Sequence, residues 1–336
     1  NENQKKAKKI KNQFVLLVGD DGAILCHYMD NKLSSRIFVD TPLSEDVKMM
    51  EKLLATYPTH PVSILVDVIE QSYTQQTLPP VSSMGIASQV QRRIKRDLRA
   101  EDLNNYIVSG RQKEGRKDWN VLFISLANID PFSKWLELVL KQKNKFDGVF
   151  LLPVESVKLL NLLHQKFPDS SKVEWEIMLF HNKTGGFRIV VFKEGKFVFA
   201  RLAQNLIGDN IPEIVVGNME QEIQNTFEYL KRLGFRGDVS SKITIVAAKD
   251  ILEKVDSKAL KFGEINLFSP YQISEILSLP DSVGEKDKFA DIFLATQFAI
   301  QTKHQLKFYT KYTQKLDNLY LAVKAILAAI VIVAIG

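Results

Sequence analysis

One succession of elements is spelled out twice in this chain, and that repetition limits the fold more than any single motif. Residues 14–19 (FVLLVG) form a continuous apolar run of strand length. Asp20-Asp21-Gly22 follows as a hairpin turn, because Asp-Gly supplies the left-handed backbone a tight turn demands. Residues 23–28 return as a second strand, Asp30-Asn31 turns again, and residues 33–39 make a third. A helix comes next, with Ser44 as the expected N-cap and Val47, Met50, Leu54 and Tyr57 at helical spacing. Pro58 and Pro61 end it before a buried strand at 62–69. The second half repeats the order. Strands are expected at 174–180, 187–192 and 196–202, with turns at 182–186 and Glu194-Gly195. The helix that follows is expected to start at Asn218, with Gln221 completing a capping box, and to close at Gly234. Its inward face is Met219, Ile223, Phe227 and Leu230, and residues 242–247 (KITIVA) supply the last strand. A β-β-β-α-β unit used twice predicts an α/β protein of two matching lobes.

The halves differ by an interruption. Pro79-Pro80 breaks the first lobe, a basic helix runs through 90–103, and a polar stretch carries Gly110 and Gly115. This reads as an inserted subdomain over about 73–119. Order resumes with a strand at 121–126. A helix start follows at Asp130-Pro131, with Phe132, Trp135, Leu136 and Val139 facing inward. A strand at 148–152 and a helix at 154–167 complete the lobe. The expected organisation is a disordered basic leader (1–12), a first lobe (13–170), a second lobe (171–301), a basic juxtamembrane segment (302–318) and a truncated transmembrane helix (319–336).

That last element rests on the run LYLAVKAILAAIVIVAIG, apolar apart from Lys324. A membrane span needs about 20 such residues, so this run is nearly long enough and is expected to be cut short. Lys303, Lys307, Lys311, Lys315 and Lys324 form a positive flank, which keeps to the cytoplasmic side. A buried C-terminal helix is the competing reading. Net charge is +6 with a pI of about 9.1. Part of the excess lies in the leader (Lys5, Lys6, Lys8, Lys9, Lys11) and part in Arg92, Arg93, Lys95, Arg96 and Arg99. Interleaved Asp97, Glu101 and Asp102, with Tyr106 the one aromatic nearby, suit a solvated helix offering a partner surface. They do not suit a nucleic-acid groove with stacking aromatics, so no nucleic-acid partner is expected. The single cysteine, Cys26, excludes an internal disulfide and fits a reducing compartment.

The duplicated order resembles the plan of the actin, hexokinase and sugar-kinase superfamily. More narrowly, the chain is similar to the actin-like inner-membrane platform proteins of type IV pilus and type II secretion machines (PilM-like and GspL-like). The helix NMEQEIQNTFEYLKRLG running into KITIVAA, the run FADIFLATQFAIQ at 289–301, and the strand-helix-strand-helix alternation of 121–167 carry the similarity. In that superfamily a nucleotide sits between the lobes, gripped by the first hairpin of each. The resemblance thus implies nucleotide-binding roles for Asp20 and Gly22 in one turn and Lys183, Thr184, Gly185 and Gly186 in the other. Asp20-Asp21-Gly22 keeps the Asp-x-Gly shape, although turn chemistry explains it equally well. The second turn (His181-Asn182-Lys183-Thr184-Gly185-Gly186) lacks a carboxylate to orient a metal, and Ala247-Ala248 stands where a Gly-Gly is expected. The site therefore reads as vestigial.

Other chemistry is poorly supported. The five histidines are scattered at spacings that do not suggest ligand pairs, so no metal site is expected. Asp67 and Glu70 form a weak candidate carboxylate pair, more simply read as a solvated loop. No catalytic residue and no cofactor are expected. The resemblance implies a non-catalytic scaffold of the bacterial inner membrane, single-pass with a cytoplasmic body, linking a cytoplasmic assembly ATPase to other platform proteins, commonly as a homodimer. The alternatives are an active actin-like ATPase using ATP and Mg, or a membrane-anchored receptor or regulator of unrelated α/β fold. Pilus and secretion machines are not told apart.

Overall fold

Hairpin chemistry sets the first sheet. Strand β1 (Gln13–Gly19) turns at Asp20-Asp21 into β2 (Gly22–Met29), with register Gly19 opposite Gly22. β2 turns at Asp30-Asn31 into β3 (Lys32–Val39); both turn residues have positive φ, as a type I′ turn requires. Helix α1 (Val47–Thr56) then crosses to β4 (Val62–Asp67), which lies parallel to β1 on its other side. The computed structural model describes residues 9–168, 173–204, 211–237, 240–256, 260 and 263–310.

Between β4 and the rest of the first lobe come β5 (Gln71–Leu78), α2 (Ile86–Asp97), β6 (Leu103–Arg111) and β7 (Trp119–Leu126). These strands form their own antiparallel sheet in the order β5-β7-β6. Ile86 and Val90 of α2 pack with Leu78, Val121 and Phe123 beneath it. The insertion is thus larger than 73–119. The apolar run at 121–126, expected as a strand of the main lobe, is the centre of the insertion's sheet. Helix α3 (Phe132–Leu140), β8 (Phe146–Leu151) and α4 (Leu152–Lys166) follow. β8 pairs parallel to β4 and completes the order β3-β2-β1-β4-β8.

The second lobe repeats this order strand for strand. Its elements are β9 (Trp175–Asn182), β10 (Gly186–Lys193), β11 (Lys196–Ala203), α5 (Pro212–Arg232), β12 (Ser241–Val246), α6 (Lys249–Leu252), β13 (Glu264–Phe268), α7 (Pro270–Ile276) and α8 (Asp291–Ala299). Its sheet runs β11-β10-β9-β12-β13, with the antiparallel and parallel pairings falling in the same places.

Alternation along a strand divides the core. Phe14, Leu16 and Val18 face an outer core with Met50, Leu54, Phe132 and Trp135 of α1 and α3. Val15 and Leu17 face the opposite way, into a core shared by both lobes. There they meet Met178, Phe180, Val190 and Phe192 of the second sheet, with α4 and α8 between. Every residue of α8 is buried, Asp291, Thr296 and Gln297 among them. Met219, Ile223, Phe227 and Leu230 of α5 are buried in the outer core of the second lobe, and Gly234 takes positive φ at its end.

Three boundary expectations are corrected. α1 begins after Asp46; the Ser44 hydroxyl accepts from the Asp46 N–H in the preceding turn and caps no helix. Asn218 lies within α5, which starts at Pro212 where the proline needs no N–H partner. Pro131, expected as the first helical residue after an Asp130 cap, is itself the N-cap of α3, which starts one residue later than expected, at Phe132.

Both ends of the described chain are pinned to the body. Ile10, inside the leader expected to be disordered, is buried against the shared core, and its N–H donates to Asn31 Oδ1 at 2.7 Å. After α8 the chain returns to the first lobe. The Gln305 and Leu306 N–H groups donate to the buried Glu155 carboxylate at 3.0 Å, and Phe308 is fully buried. The Phe308 N–H donates to Val149 O at 2.8 Å, adding a bridge to the free edge of β8. Among the described residues no helix is long and apolar enough to cross a membrane, and the run at 319–336 lies outside them.

Candidate functional site

The two first hairpins, one from each lobe, meet tip to tip. The Asp21 N–H donates to Thr184 O at 2.7 Å. A Cβ on Gly19 would lie 2.1 Å from that same carbonyl oxygen, so only glycine allows the approach. Asp20, Lys183, Thr184 and Gly185 are therefore brought together, with Gly22 and Gly186 closing their turns at positive φ. What lies between the turns is the protein itself.

Two buried carboxylates fill the position. Asp67 ends β4 and is fully buried; it is no part of a solvated loop. Arg188 of β10 donates Nε to Asp67 Oδ1 at 2.5 Å and a second guanidinium nitrogen to Val68 O at 2.9 Å. Asn182 Nδ2 donates to Asp67 Oδ2 at 2.7 Å. Burial pushes the Asp67 carboxyl up from its ordinary range, and Arg188 and Asn182 oppose that by stabilising the anion. Asp291, the first residue of α8, accepts the Lys183 N–H at 2.7 Å, the Thr184 N–H at 3.1 Å and the Thr184 hydroxyl at 2.7 Å. Successive N–H groups in a turn form an anion-binding nest. Here that nest already holds an internal carboxylate. Asp291 is likewise raised by burial, against the pull of its three donors.

Asp20, expected as part of a vestigial nucleotide site, makes a structural contact here. Its Oδ2 accepts the Ile69 N–H at 2.9 Å, which ties the first hairpin to the end of β4. Its pKa is pushed up to about 6, chiefly by burial and then by the nearby Glu70 carboxylate. The Lys183 ammonium turns away and sits 3.8 Å from the centre of the Phe38 ring, a cation–π contact between lobes. It borders a pocket of about 410 Å³ with Arg36, Lys286, Lys288 and Phe289. Arg36 pairs there with Asp287 at 2.6 Å. The methyl groups of Ala247 and Ala248 belong to the outer core of the second lobe.

The histidines are less scattered than their spacing indicates. His27 Nε2 and His60 Nδ1 are 2.9 Å apart, and His164 meets Glu176 at 2.9 Å. His181 stands apart: Phe187 and Phe289 flank its ring at 4.7 and 4.9 Å, and neither ring nitrogen has a hydrogen-bond partner. Burial lowers its pKa to about 4. Among the described residues no cluster of three or more His, Cys, Asp or Glu could hold a metal ion. The basic helix expected over 90–103 is α2, which ends at Asp97, while Leu103 opens β6; Arg92, Lys95 and Arg96 on it and Arg99 beyond it are exposed. Arg93 and Arg96 share Asp97, and Arg99 pairs with Glu101. Lys303 and Lys307 lie on the segment returning from α8, whereas Lys311, Lys315 and Lys324 fall outside the described residues.

Sequence reasoning missed Asp67, Asn182, Arg188 and Asp291 as a group. The signal was present: VSILVDVI, GFRIVVF and FADIFLATQF each carry a lone charge inside an apolar run. A charge in such a place is buried and must be paired.

No family model matches the chain, and no curated protein matches it in sequence. Among solved structures it is similar to a chain of the PilM-PilN type IV pilus biogenesis complex, at 11% identity and a TM-score of 0.56. The match covers 86% of this chain and 96% of that one. It is also similar to a Bacteroides thetaiotaomicron protein of actin-like ATPase fold and unknown function (14% identity, 80% and 96% covered, TM-score 0.42). A third match is the cytoplasmic domain of EpsL, an inner-membrane component of the type II secretion system of Vibrio cholerae (7%, 88% and 97%, 0.45). The first likeness, together with the duplicated sheet order, identifies the fold as actin-like.

Proposed function

We propose that this protein is a non-catalytic, actin-like platform component of a type IV pilus or type II secretion machine. It is tethered to the bacterial inner membrane through residues 319–336 and joins a cytoplasmic assembly ATPase to a PilN-like envelope partner, working as a homodimer. The fold likeness to the PilM-PilN complex supports the machine; the blocked inter-lobe site supports the absence of catalysis. The observation that carries the second point is Asp291 in the nest of the second hairpin. A nucleotide phosphate would have to displace a carboxylate held by three donors, and would find no acidic side chain in that turn to share a metal. It would also have to part the Asp21–Thr184 contact and the Asp67–Arg188 pair, whose disruption costs about 3–5 kcal/mol.

The test is nucleotide binding and phosphate release by the full chain in detergent with Mg-ATP. The expected result is no saturable binding at millimolar nucleotide and no turnover. Metal-dependent turnover abolished by Asp20→Ala would overturn the reading and establish an actin-like ATPase with Mg-ATP as cofactor.

A further inference from the structure

The ends of the described chain, remote in sequence, converge on one pocket. Ile10 is anchored in the core, so the exposed Lys9 and Lys11 on either side of it have fixed positions. Gln13 Nε2 reinforces this by donating to Ala299 O at 2.9 Å. From the other end, Lys307 is held between Leu306, whose N–H meets Glu155, and the buried Phe308. Its own carbonyl accepts from Asn105 Nδ2 at 2.8 Å. Lys9, Lys11 and Lys307 thus line a cavity of about 370 Å³, together with the polar groups of Gln13, Ser63 and Thr302. The carboxylate of its lining, Asp147, is engaged by Lys145 at 2.8 Å. The lining thus holds three lysines against one carboxylate.

We infer that this pocket binds the phosphate of an anionic phospholipid headgroup, and that the face around it lies against the bilayer. The inference rests on the proposed tether and goes on to assign which face meets the membrane. Three observations favour lipid over an acidic protein. First, the lining cations are lysines, point charges suited to mobile headgroups, where planar bidentate recognition of a protein carboxylate favours arginine. Second, Tyr309 is 47% exposed beside the pocket, its ring 5.0 Å from the Lys307 ammonium. An amphipathic ring of that kind belongs at a headgroup layer. Third, residues 311–318 separate Thr310 from the apolar run. Eight residues span at most roughly 30 Å in any conformation, so an inserted run keeps this face within that distance of the hydrocarbon.

The test reconstitutes the full chain into neutral phosphatidylcholine vesicles and into vesicles containing phosphatidylglycerol, and reads amine acylation at each lysine by mass spectrometry. Lys9, Lys11 and Lys307 are expected to react roughly fivefold more slowly in the anionic vesicles. Salt at about 0.5 M should restore the rate, because it shortens the screening length. Lys113 and Lys231 serve as references and should not change. Equal rates in both vesicles overturn the inference. So does equal protection in neutral vesicles on adding millimolar inorganic phosphate, which marks a soluble-phosphate site. Protection found only in native membranes, and not in either vesicle, would assign the face to an acidic protein instead. Carbonate-resistant flotation scores the tether separately. If it fails, salt-sensitive flotation of the chain with anionic vesicles, lost in Lys9→Glu/Lys11→Glu/Lys307→Glu, still supports the pocket, and its absence refutes it.

Discussion

Replacing Arg188 by Met should be the most damaging single change at the lobe interface, and its cost should grow with pH. The side chain is fully buried and joins lobes by two hydrogen bonds, to the Asp67 carboxylate and to Val68 O. Methionine fills much of the volume and supplies neither donor. Removing one partner of a buried ion pair costs about 3–5 kcal/mol, and an unpaired buried carbonyl adds about 1 kcal/mol. Asp67 would then keep Asn182 as its remaining partner. Its pKa, already raised by burial, would rise further once the guanidinium is gone. A carboxyl raised in the folded state stabilises at pH below its unfolded value, and that stability is lost as pH climbs through the folded value. The Arg188→Met deficit should therefore widen from pH 5 to pH 8, by up to about 1.4 kcal/mol per pH unit. In an Asp67→Asn background the same replacement should cost only about 1–2 kcal/mol, for the Val68 carbonyl. The assay is urea unfolding of the full chain in detergent, followed by Trp135 in the first lobe and Trp175 in the second, both fully buried. A loss below about 1 kcal/mol at pH 8, or an equal loss with and without the Asp67 carboxylate, would refute the ion pair as the lock between lobes.

Other changes have opposite signs. Asp20→Asn keeps an acceptor for the Ile69 N–H and removes a carboxyl whose pKa stands at about 6 against 3.8. The native carboxyl's contribution is lost as pH rises from about 4 through 6. The variant should therefore be more stable than wild type at pH 7, by roughly 1–2 kcal/mol after discounting for partial exposure, and the gain should vanish by pH 4 in the same urea titration. His181→Phe should flatten the acid limb of stability. The native imidazole, with its pKa held at about 4, gives stability that is full above about 6.5 and falls as pH drops toward 4, and a phenyl ring removes that dependence. Phe308→Ala should cost about 3–5 kcal/mol locally, read as faster hydrogen exchange across β8 and earlier proteolysis after Thr310, with β12 unaffected.

Much of the fold is local and therefore legible. Asp-Gly and Asp-Asn turns, two-residue alternation and helical spacing place the hairpins and the helix faces within a residue or two. The assignment of residues 121–126 failed for a physical reason: a strand buried on both faces reads the same whichever sheet it joins. Asn218 was misread because a capping box can occur by chance inside a long helix, while Pro212 marked the real start. The inter-lobe lock was hidden at a deeper level. Each hairpin residue is visible as turn chemistry, but Asp67 and Arg188 meet only after both sheets have formed, and nothing local announces the pairing. Asp291 was hidden in the same way within an alanine-rich helix.

The return of the chain from α8 onto β8 fixes where a mechanical load would enter. Tension applied beyond Thr310 bears first on the rim of the first lobe, through Phe308 and the Glu155 clasp, and bypasses the second lobe. The clasp is short: the Phe308 bridge, the Glu155 carboxylate and the Asn105 bond to the Lys307 carbonyl. Once it yields, the slack runs back to α8, and the direction of pull shifts to the helix packed between the lobes. A pull on this end would thus be met in two stages, first at the rim of the first lobe and then at the helix between the lobes.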